Sequence, residues 1–148
     1  PNGAHVVEVE IDCDTGEVKL AHYTAVDDYG VLVNPMIAAG QAHGAIAQGV
    51  GQALLEHAVY DPASGQPIAG SFMDYAMPRA DDLPSFHLGF NGTRCTTNPL
   101  GVKGCGEAGA IAAFPAIANA ISDALAPFGA TDLAGPATPL RIRKAIGC

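Results

Sequence analysis

Polar and apolar residues alternate at the start of the chain. Val7, Val9 and Ile11 are separated by Glu8, Glu10 and Asp12. A period of two marks a strand with one wetted face. It predicts a strand from Ala4 to Cys13, with Glu8, Glu10 and Asp12 toward water. Asp14-Thr15-Gly16-Glu17 is rich in turn formers, and Val18 to Val26 alternates again. Together these predict a β-hairpin, closed by Asp27-Asp28-Tyr29-Gly30.

The period changes after Asn34-Pro35. Asparagine suits a helix N-cap, and proline suits the first helical position. From Met36 to His57 the apolar residues recur with helical spacing. At about 100° per residue, Ala42, Ile46, Val50, Ala53 and Leu54 share one face. Gln41, Gln48 and Gln52 share another. Gly40, Gly44, Ala47 and Gly51 form a third stripe almost without side chains. A glycine inside a helix costs roughly 1 kcal/mol relative to alanine. The stripe therefore predicts close approach by a backbone or a ligand, with the glutamines as its polar contacts.

Farther on, Ala58-Val59-Tyr60 and Pro67-Ile68-Ala69 flank Asp61 to Gln66 and predict a second short hairpin. Met77 to Pro84 reads as loop and Ser85 to Phe90 as a strand. Asn91 to Leu100 reads as loop, and Asn91-Gly92-Thr93 as a turn. Pro115 divides the following Ala-rich stretch into a short helix from Glu107 to Phe114 and a second helix carrying Ile117, Ile121, Ala124 and Leu125. Pro127 and Gly129 end that helix. Ala130 to Pro139 reads as loop, and a last helix runs from Thr138, its cap, to Ile146. The mixture, without a regular β-α-β rhythm, predicts an α+β fold of hairpins and helices.

About half of the 148 residues are apolar and 15% are charged, which excludes disorder. The formal net charge is −8, and the one basic cluster, Arg141-Ile142-Arg143-Lys144, suits a helix C-terminus. A nucleic-acid partner needs a basic face and is not expected. The longest apolar run, Ala108 to Ile121, is interrupted by Pro115 and Asn119 and reads as too short to cross a membrane. Cys13, Cys95, Cys105 and Cys148 are scattered with no C-x-x-C pair, which fits a reducing cytoplasm and no zinc site. Pro1-Asn2-Gly3 leads straight into a strand without an initiator methionine, so the chain is read as one domain or fragment, residues 1–148.

The chemistry concentrates in Gly101-Val102-Lys103-Gly104-Cys105-Gly106-Glu107-Ala108-Gly109. Here a carboxylate opens a helix from within a glycine-rich loop. The helix dipole favours its anion and burial opposes it, the balance a general base near neutrality requires. Gly104 to Gly109 fits G-x-G-x-x-G, but no strand precedes it, so a dinucleotide fold is not indicated. His5, His22, His43, His57 and His87 include no i, i+4 pair for a metal. Ser64 and Ser71 lack a nucleophile-elbow setting.

Two stretches resemble one family. Val26-Asp27-Asp28-Tyr29-Gly30, Asn34-Pro35 and Gly40-Gln41-Ala42-His43-Gly44-Ala45-Ile46-Ala47-Gln48-Gly49-Val50-Gly51-Gln52-Ala53-Leu54 form the first. Asn98-Pro99-Leu100-Gly101 through Gly109 form the second. Their order and spacing are similar to the xanthine dehydrogenase and aldehyde oxidase family of molybdenum hydroxylases, especially large subunits of the carbon monoxide dehydrogenase or bacterial aldehyde oxidase type. The resemblance implies the C-terminal portion of a molybdopterin-binding domain.

It also implies a molybdenum-dependent oxidoreductase, oxidising an aldehyde, an N-heterocycle or a similar small molecule with water as the oxygen source. Glu107 falls on the family's catalytic glutamate, which takes a proton as oxygen is inserted into a C–H bond. Gln41 falls on its pterin-contacting glutamine, with Gly104, Cys105 and Gly106 beside the cofactor. The implied cofactor is molybdopterin with molybdenum, in the cytosine dinucleotide form. Molybdenum is then held by the pterin rather than by a protein cluster. The implied partners are the remainder of the large subunit, an iron–sulfur subunit and an FAD subunit. The isolated chain is expected to be inactive. The alternative is a non-catalytic assembly or scaffold subunit of the same fold.

Overall fold

The computed structural model describes residues 1–130 and 133–147. Residues 131 and 132 of the predicted Ala130–Pro139 loop, and Cys148, lie outside that description. The fold is α+β. Strand β1 (Asn2–Ile11) pairs antiparallel with β2 (Val18–Asp28), and β3 (Phe86–Phe90) adds to the other edge of β2 in parallel. Helix α1 (Pro35–Leu54) lies between β2 and β3 in sequence, and α2 (Ala108–Leu125) and α3 (Pro139–Ile146) follow β3. Placing β3 parallel to β2 needs a long crossover connection, which α1 and the segment after it provide.

The hairpin register departs from strict pairing once. Glu8 stands opposite His22 and Val9 opposite Leu20, which leaves Ala21 as an extra residue. The bulge moves the inward positions from Leu20 to Tyr23 and Ala25, all buried. Glu8, Glu10 and Asp12 are exposed, as the alternation predicts.

Asn34 caps α1: its side-chain oxygen accepts from the Ile37 N–H at 3.2 Å, and Pro35 begins the helix. The predicted face of Ala42, Ile46, Val50, Ala53 and Leu54 is buried. The second hairpin is reduced to one bridge, Tyr60 with Pro67, around the Asp61–Gly65 turn. Ser71 to Tyr75 makes a turn, and Tyr75 donates to Glu56 Oε2 at 2.6 Å.

Pro115 does not divide α2, contrary to the sequence expectation. The helix runs unbroken through it and continues as a 3-10 turn, Ala126–Phe128, to Gly129, whose φ of 75° stops it. An interior proline costs about 3 kcal/mol. Pro115 lies on the open side of the helix, and so does Ile111, whose carbonyl loses its helical partner there. The opposite stripe, Ala113, Ile117, Ile121 and Leu125, is at most 2% exposed. Each large side chain in it contributes about 1.5–3 kcal/mol by burial, so three of them outweigh the proline.

Continuity also corrects the length of the apolar stretch. Ala108–Phe128 is 21 residues of helical backbone with mean hydropathy 1.4, long and apolar enough to cross a bilayer by those criteria alone. Its stripe is instead sealed into the core with Leu20, Tyr23, Ile46, Val50 and Ile142.

In α3 the basic residues Arg143 and Lys144 occupy the last turn, as expected. Thr138 holds the N-cap position, but its hydroxyl makes no capping bond. Arg141 Nη1 reaches back to the carbonyls of Ala134 and Pro136, at 3.2 and 3.0 Å.

The two long helices touch through residues without bulk. A Cβ added at Gly109 would lie 2.9 Å from the Ala42 carbonyl oxygen, and one at Gly49 would lie 2.5 Å from Ala113 Cβ. Residue numbers rise together along this seam, so α1 and α2 run parallel, with the start of α2 against Ala42 to Ile46 of α1.

The predicted glycine stripe divides. Gly51 is filled by Glu56 and Pro78, whereas a Cβ at Gly40 or Gly44 would meet nothing within 4 Å. Gly44→Ala is therefore expected to leave stability unchanged or raise it by up to about 1 kcal/mol. Gly49→Ala should cost about 1–3 kcal/mol through overpacking. Thermal unfolding midpoints of the two variants test the contrast.

Candidate active site

The glycine-rich loop is held at its near end by the end of β2. Gly30 and Val102 form an isolated antiparallel bridge, and the Lys103 N–H donates to the Tyr29 carbonyl at 2.9 Å. The Gly101 carbonyl accepts from Val31 N–H at 2.9 Å and Cys95 N–H at 3.1 Å. Gly30, with φ of 67°, meets the main chain of Gly101 and Lys103 so closely that a side chain would collide there. Asn98 shapes the approach: its Oδ1 accepts from Gly101 N–H at 2.7 Å, and its Nδ2 donates to the Val102 carbonyl at 3.0 Å.

Asp28 is the centre of this hold. Lys103 Nζ donates to its Oδ2 at 2.6 Å, while Oδ1 accepts from the N–H groups of Gly30 at 2.8 Å and Thr93 at 3.0 Å. The Lys103 bond first, and then the Gly30 and Thr93 amides, hold the Asp28 carboxyl well below the usual aspartate range. Asn91-Gly92-Thr93 is accordingly not the predicted turn. Asn91 N–H bonds to the Asp27 carbonyl at 3.0 Å, so the segment continues beside β2 and delivers Thr93 to Asp28.

Asp27, the neighbouring carboxylate, turns into a buried network. Tyr29 O–H donates to its Oδ2 at 2.7 Å, and His5 Nε2 lies 3.2 Å from its Oδ1. His5 Nδ1 lies 2.7 Å from the Tyr23 hydroxyl. A carboxylate accepts only, so the contact with Asp27 places a proton on Nε2. Burial raises the pKa of both tyrosines, and Asp27 raises them further, through its charge at Tyr23 and its hydrogen bond at Tyr29. Both phenols stay protonated. Tyr29 also lines a cleft with Lys103, Cys105 and the start of α1.

Glu107 occupies the N-cap position of α2, is exposed on this chain, and makes no capping hydrogen bond. Gly104 and Gly106 face open space, and the chain turns at Gly106 and Glu107 into α2. Gln41, also exposed, immediately precedes Ala42, whose carbonyl touches Gly109. The seam thus brings the Gln41 turn and the Glu107 turn to the same end of the helix pair. No group of three or more metal-ligating side chains occurs among the described residues. The sequence reading missed Asp28 and Lys103 as partners. A signal was present: Lys103 is the lone cation between Arg94 and Arg141, and two acids stand together at a strand end.

Residues 1–84 match the molybdopterin cofactor-binding domain family. The chain belongs to the molybdenum hydroxylases. It is 42% identical over 144 residues to the nicotine 6-hydroxylase large subunit of Paenarthrobacter nicotinovorans, covering 97% of this chain and 18% of that protein. It is 34% identical over 146 residues to the carbon monoxide dehydrogenase large chain of Hydrogenophaga pseudoflava, covering 99% of this chain and 18% of that one. Among solved structures, quinoline 2-oxidoreductase from Pseudomonas putida 86 superposes with a TM-score of 0.94 at 40% identity, over 98% of this chain and 18% of its own. The chain therefore spans about a fifth of the length of the molybdenum hydroxylase subunits it matches.

The Asp28–Lys103 pair gives a pH dependence with a definite sign. A depressed aspartate pKa adds stability that is complete above the ordinary value of 3.8. That stability is lost as the pH falls through the native value. Lys103→Met removes the largest cause of the depression. Its urea midpoint should lie below that of the unmodified protein at neutral pH, and the two should converge as the pH falls below about 4.

Proposed function

We propose that residues 1–148 form the C-terminal, molybdopterin-binding part of a molybdenum hydroxylase large subunit. The assembled enzyme oxidises an aldehyde, an N-heterocycle or a similar small molecule, with water as the oxygen source. The observation that carries this reading is the contact of Gly109 with the Ala42 carbonyl. It joins the segment of Gln41 to the segment of Glu107, so one bound group can touch both.

The residues fit such a group. Gly104 and Gly106 offer main chain that a flat ligand can approach, and the α2 N-terminus adds free amides suited to an anion. Gln41 and the Gly104-Cys105-Gly106 backbone would hold the pterin, in its cytosine dinucleotide form. When bound, the molybdenum-bearing pterin supplies the two-electron oxidation. Glu107 is the general base: its carboxylate accepts the proton released as oxygen is transferred to the substrate carbon.

Electrons leave through iron–sulfur clusters and FAD in partner subunits, and the remainder of the large subunit covers the exposed side of the site. A cytoplasmic setting is supported by the free thiols of Cys13, Cys95 and Cys105.

Two variants of the assembled enzyme test the assignments. Glu107→Gln should lower kcat by about 100- to 10,000-fold with molybdenum and pterin content unchanged. Near-normal turnover would remove the base and favour a scaffold role. Gln41→Ala should instead lower the molybdenum and pterin content measured on the purified enzyme, and full occupancy would count against its contact with the pterin.

A further inference from the structure

The span that carries Glu107 is anchored at two points. On the far side Gly109 is pressed against the Ala42 carbonyl. On the near side Lys103 is tied twice: through its own amide to the Tyr29 carbonyl, one of the two bonds of the Gly30–Val102 bridge, and through Nζ to Asp28 Oδ2 at 2.6 Å. Between the anchors, a Cβ at Gly104 or Gly106 would meet nothing within 4 Å, and the chain turns at Gly106 and Glu107 into α2. A span of this kind takes its course from its ends.

We propose that Asp28 is a positioning residue for Glu107, acting through its ion pair with Lys103. The inference rests on the reading of Glu107 as the general base.

The pair is built for the purpose. The Asp28 side chain is 9% exposed and that of Lys103 21%, so screening by solvent is limited. Asp28 cannot swing away to follow a wandering lysine, because the Gly30 and Thr93 amides hold its other oxygen. Those amides come from two separate segments, the β2 end and the strand-side loop, so the carboxylate has one orientation. Lys103 is thus directed to a fixed point, and Glu107 follows four residues later. A misplacement of about 1 Å at a general base can cost about 100-fold in rate.

The test uses the assembled, molybdenum-loaded enzyme, with turnover expressed per molybdenum. Asp28→Asn keeps an oxygen for the two amides and removes the charge facing Lys103. It should lower kcat about 10- to 100-fold with KM and molybdenum content unchanged. Lys103→Met should do the same. Lys103→Arg, which keeps a cation in reach of Asp28, should stay within about threefold of the parent kcat. The double variant Asp28→Asn with Lys103→Met should be no slower than the worse single variant, because both break one interaction. Parental kcat in Asp28→Asn beside a strong loss in Glu107→Gln would overturn the positioning role alone. Multiplying losses in the double variant, or a loss explained wholly by missing molybdenum, would overturn it as well. Full turnover in Glu107→Gln would overturn the base reading and the positioning role with it.

Discussion

Two helices meet here with almost nothing between them. Gly109 rests on the Ala42 carbonyl and Gly49 on Ala113. The rest of the arrangement depends on that contact. Larger side chains in the seam would push the axes apart and separate the turn of Gln41 from the turn of Glu107. Parallel packing matters equally. The α2 N-terminus thereby starts beside Ala42, next in the chain to Gln41. The seam spends the helix propensity of its glycines on geometry. Gly40 and Gly44 stay open on the same helix, where no part of the described chain needs the room.

The second constraint is the end of β2. Strand ends usually dissolve into turns, but here Asp27 and Asp28 are buried at 4% and 7% exposure. Burial of carboxylates is costly unless each finds partners. Asp27 finds Tyr29 and His5, and Asp28 finds Lys103 and two amides. The two carboxylates face different structures: one ties β1 to β2, the other ties β2 to the glycine loop. Adjacent side chains on a strand point to opposite sides. That geometry lets two consecutive acids serve two separate parts of the fold.

Much of the fold was legible in the sequence because it rests on local rules. The hairpin follows from alternation and a turn. The α1 start follows from Asn34 and Pro35, and its buried face from helical spacing. The errors have a common physical source. Proline was read as a break in α2, although its cost is smaller than the burial of Ile117, Ile121 and Leu125 on the far face. The Asn91-Gly92-Thr93 turn was read from residue type, although Thr93 is drawn straight by Asp28. In each case a tertiary contact overrode a local preference.

By itself the sequence determined the chemistry on offer and the family. The carboxylate of Glu107, the amide of Gln41 and the glycines around them are fixed by composition and spacing, and they need no coordinates to be recognised. Only the tertiary structure decided how these groups stand to one another. The parallel strand β3, the seam at Gly49 and Gly109, and the bond from Lys103 to Asp28 each join residues far apart along the chain. Such pairings leave no period in the sequence, because neither partner repeats at a spacing set by the backbone. They exist only once burial has made an unpaired charge, or an empty space between helices, too costly to keep.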